Sequence, residues 1–332
     1  MTDITQGQAP NSVPVHKAIL HRTQRLVGRS GLLLSLVILF VILAAIAPNF
    51  LTARNLLNVV RQVSFVGIIA CGMTLAMIAA DVDLSVGSIV AFSSALLAVL
   101  NVNLGLPMIV AVIAVLLTGV LLGAVAGFIR VRWDIPALIV TLAFLISFRG
   151  IAFILTNAFP IVISDDAFEF WGKGELAGIP VPAIIFVVTV LIFMFISTRT
   201  VYGRSVYAVG GNAESARLSG IPVRRIRVLI LVTTFFLSAF AGILLSSRLS
   251  SGNASIAVGL EFDVIAAVLI GGTSLFGGRG TVLGTVLGVL FIGLLGNGMT
   301  LLNVNTYVQD VARGGIILLA VILGVVQQRR QA

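Results

Sequence analysis

The sequence predicts an all-α polytopic membrane protein of about ten transmembrane helices, with both termini cytoplasmic. Three observations predict it. The 332 residues are 59% hydrophobic and only 10% charged, whereas a soluble domain carries about a quarter charged residues. Mean hydropathy is +1.16, and the apolar residues fall in continuous runs without the alternation of a membrane β-barrel. The positive charge, finally, follows the runs: 15 of the 21 lysines and arginines lie where a cytoplasmic N-terminus and ten spans would put them inside.

The spans fall near residues 30–48, 63–80, 85–103, 106–129, 136–156, 181–198, 226–247, 257–272, 281–299 and 307–326. Together they form a transmembrane unit over 30–326, between a basic, disordered cytoplasmic tail at 1–29 and a short cytoplasmic tail at 327–332. The run Gly31 to Ala47 reads as an uncleaved first span, because Pro48 follows the only cleavage-like triplet. The outside loops hold Arg54, Arg61, Lys173 and Arg248, and the loop 157–180 is acidic, with Asp165, Asp166, Glu169 and Glu175.

Between the sixth and seventh runs lies one polar island, Thr198 to Arg227, within a loop at 199–227. It reads as a short helix. Asn212 is a good N-cap, Glu214 and Arg217 match the helix dipole, Gly220 suits the C′ position and Pro222 forbids continuation. A loop that only joins two spans has no need of such agreement.

Glycines recur at four-residue spacing, as Gly119, Gly123 and Gly127 and again as Gly280, Gly284 and Gly288, which predicts close helix packing in lipid. The single cysteine, Cys71, excludes an intrachain disulfide and reads as a packing residue. His16 and His21 are confined to the tail, and the only lysines are Lys17 and Lys173. Histidine-based catalysis in the membrane and a phosphate-binding P-loop are therefore excluded. GGTSLFGGRG, Gly271 to Gly280, is expected to be a tight, re-entrant connection.

The polar residues at span ends are the candidates for a path. Asp81, Asp83, Ser85 and Ser88 either line a route for a polyhydroxylated solute or, with Asp83 capping the third span and Asp81 in interfacial water, serve helix N–H groups. Arg149, deep in the fifth span, is expected to pair with an acid in the bundle. Glu261 and Asp263 open the eighth span and are candidates for an outer gate or a partner contact, while Arg313 is expected to pair with Asp310. The acids that open the third and eighth spans suggest inverted halves.

Four segments in order, DVDLSVGS, YAVGGNAESARLSGI, LEFDVIAAVLIGGTSLFGGRGTVLGT and GNGMTLLNVNTYVQ, resemble the permease subunits of bacterial ABC sugar importers of the ribose/xylose/galactose branch. The resemblance runs from about Asn49 to Val326 and departs at Ala80-Asp81, where a second acid replaces small residues. It implies a bacterial inner-membrane protein that works as two permease copies, a cytoplasmic ABC ATPase and an extracytoplasmic sugar-binding protein. No cofactor is implied on this chain, ATP and Mg2+ belonging to the ATPase. The island helix would be the coupling element, with Asn212 and Gly220 as its ends, Glu214 and Arg217 as polar contacts and Leu218 as apolar anchor. The rival is an ion-coupled secondary transporter of a small polar solute, which the clustering of acids at span ends disfavours.

Overall fold

The structure is a computed structural model that describes residues 15–329. In chain order its helices are α1 (Val15–Ile46), α2 (Ala53–Ile78), α3 (Val86–Ala98, continued by a π-helical turn Val99–Asn103), α4 (Met108–Arg132), α5 (Ala137–Thr156), α6 (Asp166–Lys173) and α7 (Val181–Arg199). They continue as α8 (Val201–Gly211), α9 (Ala213–Leu218), α10 (Val223–Leu249), α11 (Leu260–Ile270), α12 (Val282–Leu301) and α13 (Thr306–Arg329). Two tiny antiparallel pairs complete it. Strand β1 (Ile161–Val162) pairs with β4 (Ser251–Gly252), and β2 (Glu175–Leu176) pairs with β3 (Ile179–Pro180).

Among the described residues, seven helices are long and apolar enough to cross a membrane: α2, α3 with its π turn, α4, α5, α7, α10 and α12. Of the other three expected spans, the apolar part of α1 is the shorter stretch Gly31–Ile46. The span expected at 257–272 forms helix only over Leu260–Ile270, about 16 Å at 1.5 Å per residue, or half a hydrocarbon layer. The third is α13. The expected tail is cut short as well: α1 already begins at Val15, and residues 1–14 lie outside the described residues. At the other end α13 runs to Arg329, and residues 330–332 lie outside them too.

The layers follow from which faces are apolar all round. Helix α2 is the most enclosed, with 78% of its apolar window buried, against 17% for α5. Helix α10 packs on α4, α3 and α2, so α2, α3 and α10 form the centre, while α4, α5 and α7 present apolar flanks outward. Cys71 is fully buried in α2, as expected of a small packing residue.

The first glycine ladder does what its spacing predicts and the second does so at Gly284 and Gly288, whereas Gly280 lies in the connection before α12, against the Thr273 and Ile78 side chains. A Cβ at Gly119 would fall 2.7 Å from that of Ala239, one at Gly123 would fall 2.7 Å from the Val232 Cα, and one at Gly127 would fall 2.8 Å from the Val228 Cα. The α4 and α10 backbones therefore touch along three successive turns. Gly284 and Gly288 likewise lie against the carbonyls of Gly271 and Ala267, which brings α12 onto α11. Replacing Gly123 with Leu forces the two backbones apart, at a cost of about 1–3 kcal/mol from overpacking. The expected outcome is a thermal midpoint of the purified chain lowered by several degrees. Gly150→Leu, where a Cβ meets nothing within 4 Å, leaves the midpoint unchanged in the same melting assay.

Candidate functional site at the polar island and the two half-helices

The island folds as two helices, not one. Thr200 caps α8, its Oγ1 accepting the Gly203 N–H at 3.0 Å, and Asn212 stands between the two in extended conformation (φ −159°, ψ 106°). The Asn212 Oδ1 accepts the Ser215 N–H at 2.9 Å and starts α9 where the sequence predicts. The helix ends on a Schellman motif, with Ile221 N–H donating to the Ala216 carbonyl and Gly220 N–H to that of Arg217, each at 3.0 Å. Gly220 has φ +81°, which an L side chain adopts only under strain. Ala216 is buried against the bundle, whereas Leu218 is 75% exposed. Glu214 and Arg217 are exposed and pair with each other, Arg217 Nη2 lying 2.6 Å from Glu214 Oε1. That hydrogen-bonded guanidinium holds the Glu214 carboxyl below its usual range.

Helix α8 escaped the sequence reading, although Thr200 is a cap and Val206 and Val209 mark an apolar face. Its buried side carries Gly203, Ser205, Val206 and Val209. A Cβ at Gly210 would overlap the Ile78 carbonyl at the end of α2. That same carbonyl accepts the Gly278 N–H at 2.8 Å, and Tyr207 Oη donates to the Gly280 carbonyl at 2.9 Å. The glycine-rich connection is thus a turn clamped between α2 and α8, with positive φ at Gly272, Gly277 and Gly278.

Three residues further along the chain from Ile78 lies Asp81, and the structure corrects both readings made of it. It is 2% exposed, in neither interfacial water nor an open path. Arg130 Nε of α4 lies 3.1 Å from its Oδ1 and Arg227 Nε of α10 lies 3.7 Å from its Oδ2. The exposed Asp134 also pairs with Arg130, at 3.3 Å, and with Arg227, at 3.9 Å. Asp83 is fully buried too. Its Oδ1 accepts the N–H (2.8 Å) and hydroxyl (2.6 Å) of Ser85, and its Oδ2 accepts the hydroxyl of Thr234 on α10. It therefore ties the stretch before α3 to α10 and leaves Ser85 as the N-cap, without a side-chain cap bond. The hydroxyl of Ser88 donates to the Ser85 carbonyl at 2.8 Å.

The stretch 81–85 is neither helix nor strand, with Ser85 already in the right-handed α region, and α3 begins among buried residues inside the bundle. The N-terminal end of α11 meets that of α3: a Cβ at Gly87 would overlap Glu261 Oε2 and lie 2.7 Å from the Ala257 carbonyl. Glu261 is 6% exposed. Arg149 interacts with the charge of Glu261, an acid in the bundle as expected, but makes no ion pair within 4 Å with it. Its guanidinium donates to the carbonyls of Ala254 (3.0 Å), Ile256 (2.6 Å) and Ala257 (3.1 Å), which form the irregular approach to α11. Gly150 beside it has nothing in van der Waals reach, so it admits no neighbouring helix. Arg313 meets Asp310 at 3.2 Å as expected and, in addition, Asp263 at 3.2 Å, so Asp263 joins α11 to α13.

The N-terminal ends of α3 and of the short helix α11 thus meet at Gly87 and Glu261, and α8 of the island is seated on the end of α2 and on the connection that follows α11. Residues 55–321 match the family described as branched-chain amino acid transport system / permease component. The probable ABC transporter permease protein YphD of Escherichia coli is 46% identical over 308 residues, covering 93% of this chain and 92% of that protein. The ribose import permease protein RbsC of Haemophilus influenzae is 42% identical, covering 87% of this chain and 90% of the relative. The L-arabinose ABC transporter permease protein AraH of Azospirillum brasilense is 41% identical, with 90% and 88% covered. No solved structure matches. With its multi-pass helical fold and four-fifths of its length matched, this chain belongs to the permease-component family of ABC transporters.

Proposed function

We propose that this chain is the membrane subunit of an ATP-driven, binding-protein-dependent importer of a monosaccharide, ribose-like or arabinose-like, in a bacterial inner membrane. Two copies form the path, a separate ATPase holds ATP and Mg2+, and an extracytoplasmic protein delivers the sugar. The chain itself is not an enzyme. Ten crossings with both termini cytoplasmic put α8 and α9 on the ATPase side, in keeping with the arginines gathered there.

The observation that carries this reading is the contrast between α8 and α9. Helix α9 presents Leu218, Glu214 and Arg217 to solvent, while α8 is seated on the end of α2 and on the connection that follows α11. A push on α9 is therefore delivered to the inner ends of both broken segments at once. The α3 and α11 ends that meet at Gly87 and Glu261 are the elements we place along the path, because helix N-terminal ends inside a bundle are where secondary transporters hold their solutes, a feature the ion-coupled rival would share. This replaces Asp81 and Asp83 in that role and gives them the part of fasteners. One observation favours the ion-coupled rival: Glu261 Oε2 is buried without a hydrogen-bond partner. Uptake by vesicles containing the chain, the ATPase and the binding protein separates the two. Dependence on ATP and on the binding protein selects the importer, and a proton or sodium requirement selects the rival.

Two predictions follow from the coupling. Leu218→Asp removes the anchor, and Gly220→Pro demands a φ near −65° where the chain has +81°. Each is expected to abolish uptake and association with the ATPase while membrane insertion, read by protease accessibility, persists; undiminished uptake by either overturns the assignment. For the fastener, Asp81→Asn leaves the buried Arg130 with only the exposed Asp134 as counter-charge, at a cost of up to about 3–5 kcal/mol, the figure for a buried charge that loses its partner. The double variant D81N/R130M is expected to recover most of that loss of thermal stability, and additive losses would show that the two do not act as a pair.

A further inference from the structure

We infer that the cleft between the C-terminal end of α4 and the N-terminal end of α10 is a binding site for the phosphate of an anionic phospholipid. The cleft has a volume of about 280 Å³ and is lined by Phe128, Val131, Arg132 and Arg224. Among the described residues, its two guanidiniums have no acid partner within ion-pair distance, and Arg132 lies over the Trp133 ring, 5.8 Å from its centroid. This contrasts with Arg130 and Arg227, their neighbours on the same two helices, which are both neutralised by Asp81 and Asp134.

The surroundings identify the source of the phosphate. Leu117, Leu121, Val125 and Phe128 are all exposed and, at spacings of four, four and three residues, form one stripe along α4 that ends at Arg132. That stripe is a surface for acyl chains. The exposed Trp133, in edge contact with Phe128, closes it in the manner of an interfacial aromatic belt. The arginines thus stand where the tails give way to headgroups, and an anionic headgroup supplies both the missing counter-charge and the apolar chain that the stripe accepts. Each basic group at such a surface is worth about a fivefold preference for an anionic lipid.

The test uses the full-length chain in lipid nanodiscs, with Trp171→Phe leaving Trp133 as its only tryptophan. Phosphatidylglycerol brominated near the headgroup, at about a fifth of the lipid, is expected to quench Trp133 at least about twofold more than brominated phosphatidylcholine. R132Q/R224Q is expected to erase that difference and R132K/R224K to keep it. Equal quenching by the two lipids, or a preference that survives R132Q/R224Q, overturns the inference. So does a preference abolished by inorganic phosphate at about 10 mM, which would assign the cleft to a soluble anion, since vicinal lipid is held by tail and charge together. Shielding of Trp133 by the ATPase subunit with no lipid preference would assign it to that protein instead, and would equally overturn it. Where Trp171→Phe fails to fold, native mass spectrometry of the unsubstituted chain and of R132Q/R224Q gives the second reading: equal retention of phosphatidylglycerol overturns the inference.

Discussion

Everything in this fold turns on the rule that backbone polar groups inside a membrane need partners within the protein. The chain breaks helix twice at depth, before α3 and before α11, and at each break it supplies side chains in place of the lost helical bonds. Before α3, Thr141 accepts the Leu84 N–H at 3.1 Å and Asp83 accepts that of Ser85. Before α11, one guanidinium serves three carbonyls. Arg149 is thus a solvent for backbone. Its charge, costly in hydrocarbon, is what makes an irregular approach to α11 tolerable, and the placement of Gly87 against Glu261 depends on both repairs holding.

The second constraint is closeness. At Gly123, Gly127, Gly284 and Gly288 helix backbones touch without intervening side chains, and in lipid that contact has to supply what the hydrophobic effect supplies in water. Gly210 extends the same device to the island, seating α8 directly on the last carbonyl of α2. Helices joined this closely do not slide past one another by degrees, so motion of one is carried to its neighbour as a unit.

What was legible in the sequence was whatever is encoded locally. The start and end of α9 fall where Asn212 and Gly220 place them, because a cap and a left-handed glycine are decided within a turn. The ladders and the multi-pass architecture were legible for the same reason, since spacing and composition carry them. What was hidden depends on residues far apart in the chain. The apolar run 257–272 cannot announce that its first part is irregular, because the group that satisfies it, Arg149, is more than a hundred residues away. Asp81 read as interfacial because its partners come from α4 and α10; that Arg130 closes one span and Arg227 opens another on the side where Asp81 lies was the available signal. Helices α6 and α8 were missed behind the label of loop, though Asp165, which caps α6 by accepting the Phe168 N–H at 3.0 Å, and Thr200 both marked a start.

On the coupling role proposed for the island, the charges would let it move helices without loosening the bundle. Asp81 sits between the island and α3, and it is fastened to α4 through Arg130 and to α10 through Arg227, the residue with which the polar island ends. Buried pairs of this kind add little net stability, since desolvation offsets most of the attraction, but they are costly to break one partner at a time. The network therefore penalises any displacement of α10 that does not take the Asp81 segment with it. Asp83 repeats the constraint one residue beyond Val82, through Thr234. In the proposed coupling, a stroke entering at α9 would pass through α8 to the end of α2 and, with Asp81 and Asp83 fastening the stretch that follows to α4 and α10, on to Gly87, where the ends of α3 and α11 meet.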